Sequence, residues 1–79
     1  MSKDQKNAER FLKSADSLFK KERYNDAAVR FEQYMKEMGE EFANPQVSLN
    51  LGMCYFNLEK WTSALCHFED AEEGFQKIK

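Results

Sequence analysis

Residues 49–69 read LNLGMCYFNLEKWTSALCHFE, and residues 12–32 read LKSADSLFKKERYNDAAVRFE. Laid over one another at a shift of 37 residues, Leu12 meets Leu49, Phe19 meets Phe56, Glu22 meets Glu59, Ala27 meets Ala64, Phe31 meets Phe68 and Glu32 meets Glu69. Similar residues fall between these identities: Ala15 with Gly52, Leu18 with Tyr55, Arg23 with Lys60, Tyr24 with Trp61 and Asn25 with Thr62. Small residues recur where two helices must cross closely, and aromatic residues recur beside them. The chain is therefore an internal repeat, and the fold follows from what one repeat can form.

Working outward, apolar spacing marks four helical segments. Ala8, Phe11, Leu12, Ala15, Leu18 and Phe19 make one face of a first helix, which ends on Lys20-Lys21, cations suited to a helix C-terminus. Arg23 to Asp26 read as a turn, with Asn25 as the expected N-cap of a second helix carrying Ala28, Phe31, Met35, Met38 and Phe42. Gly39 interrupts that stripe, and Asn44-Pro45 closes it and opens a third helix, as N-cap and first helical residue. The third helix is apolar on two faces, Val47, Leu51, Cys54 and Leu58 on one and Leu49, Met53 and Phe56 on the other, so it is expected to be sandwiched. Thr62 is the expected N-cap of a last helix bearing Ala64, Phe68, Ala71, Phe75 and Ile78, with fraying expected at Gly74. Short connections make neighbouring helices antiparallel.

Composition agrees with an all-α chain. Of the 79 residues only Val29, Val47, Thr62 and Ile78 are β-branched, too few to clothe a sheet. An apolar share of 42% with 14% aromatics excludes disorder. The formal charge of −2 and the pI near 5.4 argue against a nucleic-acid partner. The longest uncharged run, Phe42 to Leu58, contains Asn44, Pro45, Gln46, Ser48, Asn50 and Asn57 and does not read as a membrane span. The N-terminal Met-Ser-Lys-Asp-Gln-Lys lacks the apolar core of a signal peptide, and Cys54 and Cys66 stand apart from any ligand set except His67. A cytoplasmic chain with reduced thiols and no metal or cofactor is expected.

Catalysis finds no support in the residue pattern. Glu40-Glu41 and Glu72-Glu73 are sequence neighbours whose side chains diverge on a helix, as do Cys66 and His67. No glycine-rich phosphate loop or nucleophile elbow is present in the sequence. A non-enzymatic protein is expected.

The second repeat, with Leu51-Gly52-x-x-Tyr55, an aromatic at Trp61, then Ala64, Phe68 and Ala71, resembles the tetratricopeptide repeat family. The first is degenerate: Ser14-Ala15-x-x-Leu18, then Tyr24, Ala27, Phe31 and finally Tyr34 where a small residue is usual. Gly39 and Gln76 stand where the family has proline, and Glu22 and Glu59 replace its turn glycine. The 37-residue spacing exceeds the family's usual 34, which implies a second helix about one turn longer. The resemblance implies one domain over residues 1–79 with repeats at about 8–41 and 45–78, two helix-turn-helix hairpins stacked as a short right-handed solenoid.

The resemblance further implies a protein-binding role, with a concave groove lined by the first helix of each hairpin. Those residues are Glu9, Leu12, Lys13, Asp16, Phe19 and Lys20, with Gln46, Leu49, Asn50, Met53, Phe56 and Asn57. For Leu12, Phe19, Leu49 and Phe56, core packing and groove lining are both open. Asn50 matches the asparagine of the two-carboxylate clamp that holds acidic chaperone tails, but Leu12 and Asp16 stand at the other clamp positions, so a clamp is not expected. An apolar segment of a partner protein or peptide suits the groove better. The alternative is a self-assembling element, or a piece of a longer scaffold or co-chaperone array. The last helix leaves Leu65, Phe68, Phe75 and Ile78 as an expected homodimer interface. Residues 1–36 carry nine basic and six acidic groups, and residues 37–79 carry three and eight, so opposite ends of two copies attract.

Overall fold

The computed structural model describes residues 3–39 and 44–77, and these form four α-helices with no strand. They are α1 (Lys3–Lys20), α2 (Tyr24–Met38), α3 (Pro45–Asn57) and α4 (Trp61–Lys77). Helix α1 packs on α2, α2 on α3, and α3 on α4, within a body of 38 × 29 × 17 Å. The core is one cluster: Ala8 and Ala15 from α1, Ala27, Ala28, Phe31 and Tyr34 from α2, and Val47, Leu51 and Cys54 from α3. Phe11, Leu12, Leu18 and Phe19 lie half-buried against it, so the α1 stripe faces inward as its spacing requires.

Both hairpins close through the same turn. At the end of α1 the Arg23 amide donates to the Leu18 carbonyl (2.9 Å) and the Glu22 amide to Phe19 (3.0 Å). At the end of α3 the Lys60 amide donates to Tyr55 (2.8 Å) and the Glu59 amide to Phe56 (3.0 Å). This is the Schellman pattern, which satisfies the last helical carbonyls and requires a left-handed residue after the C-cap. Glu22 (φ 62°) and Glu59 (φ 61°) supply it, and they are the non-glycine residues with positive φ among those described. The carbonyls of Arg23 and Lys60 already accept from Ala27 (2.9 Å) and Ala64 (3.0 Å). Each of these two residues thus ends one helix and starts the next.

That economy corrects two expected caps. Asn25 and Thr62 are not N-caps: α2 starts at Tyr24, α4 at Trp61, and no side chain caps α2 at Arg23. The three-residue turn leaves no extended residue where a capping side chain is expected. At α3 the expectation holds, since the Asn44 Oδ1 accepts from the Gln46 amide at 2.9 Å and Pro45 follows as the first helical residue. Helix α2 stops at Met38 rather than continuing towards Asn44, because Gly39 turns out of the helix at φ 82°. Phe42 lies outside the described residues. Tyr34 is buried rather than merely large, and its hydroxyl accepts from the Asn44 amide at 3.3 Å, tying α2 to the start of α3.

Two glycines mark where backbones approach. A Cβ on Gly52 would lie 2.6 Å from the Phe68 ring, so that aromatic rests directly on the α3 backbone. A Cβ on Gly74 would lie 2.7 Å from the Pro45 Cβ, which brings the end of α4 against the start of α3 and shows the antiparallel pairing. Gly74 is a packing contact, not a point of fraying; α4 continues through it to Lys77.

Two stability predictions follow from these contacts. Left-handed backbone costs a non-glycine residue about 1–2 kcal/mol, and a carboxylate near a helix C-terminus opposes the helix dipole. Glu22→Gly and Glu59→Gly should each stabilise the fold by up to about 1 kcal/mol, raising the thermal midpoint by about 4–8 °C. Gly74→Ala, which by helix propensity alone gains about 1 kcal/mol, should instead lose about 1–3 kcal/mol because Pro45 is a rigid neighbour. Thermal melts followed at the helical circular-dichroism band measure all three.

Candidate interaction surface

The expected groove residues divide by burial. On α1, Leu12 and Phe19 are half-buried against the core and Asp16 is half-buried, while Glu9, Lys13 and Lys20 are exposed. On α3, Leu49 and Asn50 are half-buried, while Gln46, Met53, Phe56 and Asn57 are exposed. Of the four residues open to core or groove, Leu12 and Phe19 pack against the core, Leu49 is half-buried, and Phe56 is 55% exposed. The second apolar face of α3 is not sandwiched, although the helix does pack between α2 and α4. Several polar members are engaged within their own helix. The Gln46 side-chain amide donates to Asn50 Oδ1 at 3.2 Å, and the Asn57 amide donates to the Met53 carbonyl at 2.8 Å.

Phe56 does not stand alone. Its ring meets the edge of Trp61 with centroids 5.1 Å apart at 69°, and Trp61 is itself 56% exposed. Met53 lies one helical turn before Phe56 and is also exposed. The three form an apolar strip running from α3 across the turn to the first residue of α4. In sequence Trp61 is marked only as a repeat aromatic aligned with Tyr24; the structure adds its pairing with Phe56, and Phe19 and Tyr24 make the equivalent edge contact at 5.7 Å and 77°. There both rings are half-buried, and Phe31 lies edge-on against Phe19 at 6.2 Å.

Of the expected dimer residues, Leu65 and Phe75 are exposed, Phe68 is half-buried over Gly52, and Ile78 lies outside the described residues. Ala64 and Ala71 are the residues α4 buries.

A polar junction between the hairpins is absent from the sequence reading. The Tyr55 hydroxyl donates to Glu32 Oε2 at 2.7 Å, joining α3 to α2. His67 on α4 stacks on the Tyr55 ring (5.3 Å, 16°), with its Nε2 3.8 Å from the same carboxylate oxygen. Burial, then the Glu32 hydrogen bond and charge, raise the Tyr55 phenol above its ordinary range, so it remains a hydrogen-bond donor. In sequence Glu32 differs from the other charged residues of α2, Asp26, Arg30, Lys36 and Glu37, only in being identical to its counterpart under the shift, Glu69. Among the described residues no three His, Cys, Asp or Glu side chains gather as a metal site, and no helix is long and apolar enough to cross a membrane.

Cys54 is fully buried and Cys66 exposed, both as free thiols. Burial pushes the Cys54 thiol from 9.0 up to about 11. Its folded pKa exceeds the unfolded value, so the stabilisation it represents is complete below pH 9 and is lost as pH rises towards 11. Unfolding titrations in urea should show stability falling across this window at up to about 1.4 kcal/mol per pH unit. In Cys54→Ala the slope between pH 9 and 10 should flatten, even though the cavity lowers stability at every pH. No protein-family model, curated protein or solved structure matches this chain.

Proposed function

We propose that this protein is a non-enzymatic, tetratricopeptide-like interaction module that binds an apolar segment of a partner protein or peptide on the α3 side of the molecule. The observation that carries the reading is the exposed strip of Met53, Phe56 and Trp61. Aromatic residues and methionine are the side chains that protein interfaces gather, because they bury large area for little lost rotamer freedom. Two packed but uncovered rings on a helix end form a preorganised platform, since their mutual contact already fixes their orientation. Asn50 and Asn57 lie on the same helix, and beyond their bonds to Gln46 and Met53 they keep the Asn50 amide N–H groups and the Asn57 Oδ1 for a partner backbone. The twofold repetition of hairpin and turn supports the family resemblance, and the resemblance in turn supports a peptide-binding rather than a catalytic role.

Trp61 is the single tryptophan of the chain and serves as reporter. Peptides selected from a random library on the immobilised protein should be rich in Leu, Phe and Met, and their binding should shift Trp61 emission to the blue. Phe56→Asp and Asn50→Asp together should abolish binding, while circular dichroism remains that of the parent. Selected peptides that still bind the double variant would place the binding face elsewhere.

A further inference from the structure

The 37-residue relation has a geometric consequence for self-association. In the second hairpin, the surface carrying Leu51, Tyr55 and His67 is the one that meets α2, through the contacts of Tyr55 and His67 with Glu32. Shifted back by one repeat, those positions are Ser14, Leu18 and Arg30. Together with Asp26 and Val29 they line an open groove between α1 and α2. None of the four described helices fills it. Val29 stands half exposed at its edge.

The complementary face is on α4. Ala28, Phe31, Glu32 and Met38 of α2 become Leu65, Phe68, Glu69 and Phe75 under the same shift. Ala28, on the helix that the second hairpin covers, is 3% exposed, whereas Leu65, at the same place on the uncovered helix, is 58% exposed. Sizes compensate across part of the joint. At four positions the groove has the smaller residue, Ser14 for Leu51 and Leu18 for Tyr55, or the free helix the larger one, Leu65 for Ala28 and Phe75 for Met38, while Arg30 for His67 and Ala71 for Tyr34 run the other way.

Charges match as well. Where Glu32 meets Tyr55 and His67 within the chain, Glu69 would meet Arg30. Arg30 spends one Nη1 contact on the Gln33 side chain at 2.9 Å and retains further donors for a carboxylate. Asp26, the acidic group of the groove, is paired with Arg23 at 2.8 Å. The acidic surplus of residues 37–79 and the basic surplus of residues 1–36 act in the same direction over longer range.

We propose that the α1–α2 groove receives the α4 face of a second copy of this chain, head to tail, with Glu69 of one copy against Arg30 of the next. This goes beyond the peptide-binding strip, since it uses neither Met53 nor Phe56 and commits to a different occupant. The contact is heterologous: each added copy leaves one free groove and one free α4 face, so the assembly does not stop at two.

Sedimentation equilibrium of the full chain tests it. At hundred-micromolar concentration and low salt, the mass should exceed 9.3 kDa and keep rising with concentration. It should fall back as salt screens the Arg30–Glu69 attraction. Val29→Asp in the groove and Leu65→Asp on α4, both at exposed positions, should each weaken association about tenfold or more. Arg30→Glu and Glu69→Arg should each associate less than the parent, and an equimolar mixture of the two should recover association, because only opposite surfaces then meet with opposite charge. A species of 9.3 kDa under all conditions overturns the proposal. So does association that Leu65→Asp abolishes and Val29→Asp leaves intact, the signature of a two-fold α4 pair. Failure of the mixture to recover association overturns it too.

Discussion

The two hairpins become one body chiefly through the packing of α2 against α3. Helix α1 reaches the rest of the molecule chiefly through α2, and α4 chiefly through α3. The shared core is correspondingly concentrated there: Phe31 and Tyr34 on one side, Val47, Leu51 and Cys54 on the other, with little or no solvent exposure. Alanines do much of the fitting. Ala27 and Ala28 contribute almost no surface of their own, and their small side chains let two helix backbones come close enough for the larger neighbours to interlock. Polar tethers then fix the register of the joint. Tyr34 accepts from the Asn44 amide at one end, and Tyr55 donates to Glu32 further along. Because a charged acceptor strengthens a hydrogen bond, the Tyr55–Glu32 contact fixes the joint more specifically than apolar packing alone.

The two hairpins are built alike and treated differently by their surroundings. Identical turns close them, and the same aromatic pair bridges each turn. The first pair is partly covered, with Phe31 on Phe19; the second stands in solvent. Gly52 admits Phe68 onto the α3 backbone, while Phe31 lies fully buried against Phe19. Paired rings left in solvent at a helix end remain available to a partner.

The left-handed glutamates carry a related lesson. Glycine would fill both positions without strain, yet the chain uses Glu22 and Glu59 and still forms the full Schellman pattern. The turn is therefore imposed by the packing of the helices it connects, which offsets an unfavourable local conformation. Local preference failed in the same place from the other direction. Asn25 and Thr62 are good capping residues, but a turn three residues long commits Arg23 and Lys60 to both helices and leaves the expected caps inside the first turn.

The helices, their pairing into two hairpins and the repeat that relates them are legible in the residues alone. These are local properties: apolar spacing fixes which face of a helix is sticky, and a short connection forces the chain back on itself. Pro45 behind Asn44 was equally legible, because a cap and a missing amide act within one turn. Tertiary structure alone decided exposure. Phe19 and Phe56 are the same residue in the same motif, as are Glu32 and Glu69, and nothing within a repeat distinguishes them. Among the described residues, a second hairpin packs against α2 and none against the far side of α4, which turns Glu32 into a tether and leaves Leu65 and Phe75 facing solvent. Burial depends on what lies on the far side of a helix, and that is settled by contacts between residues distant in the chain.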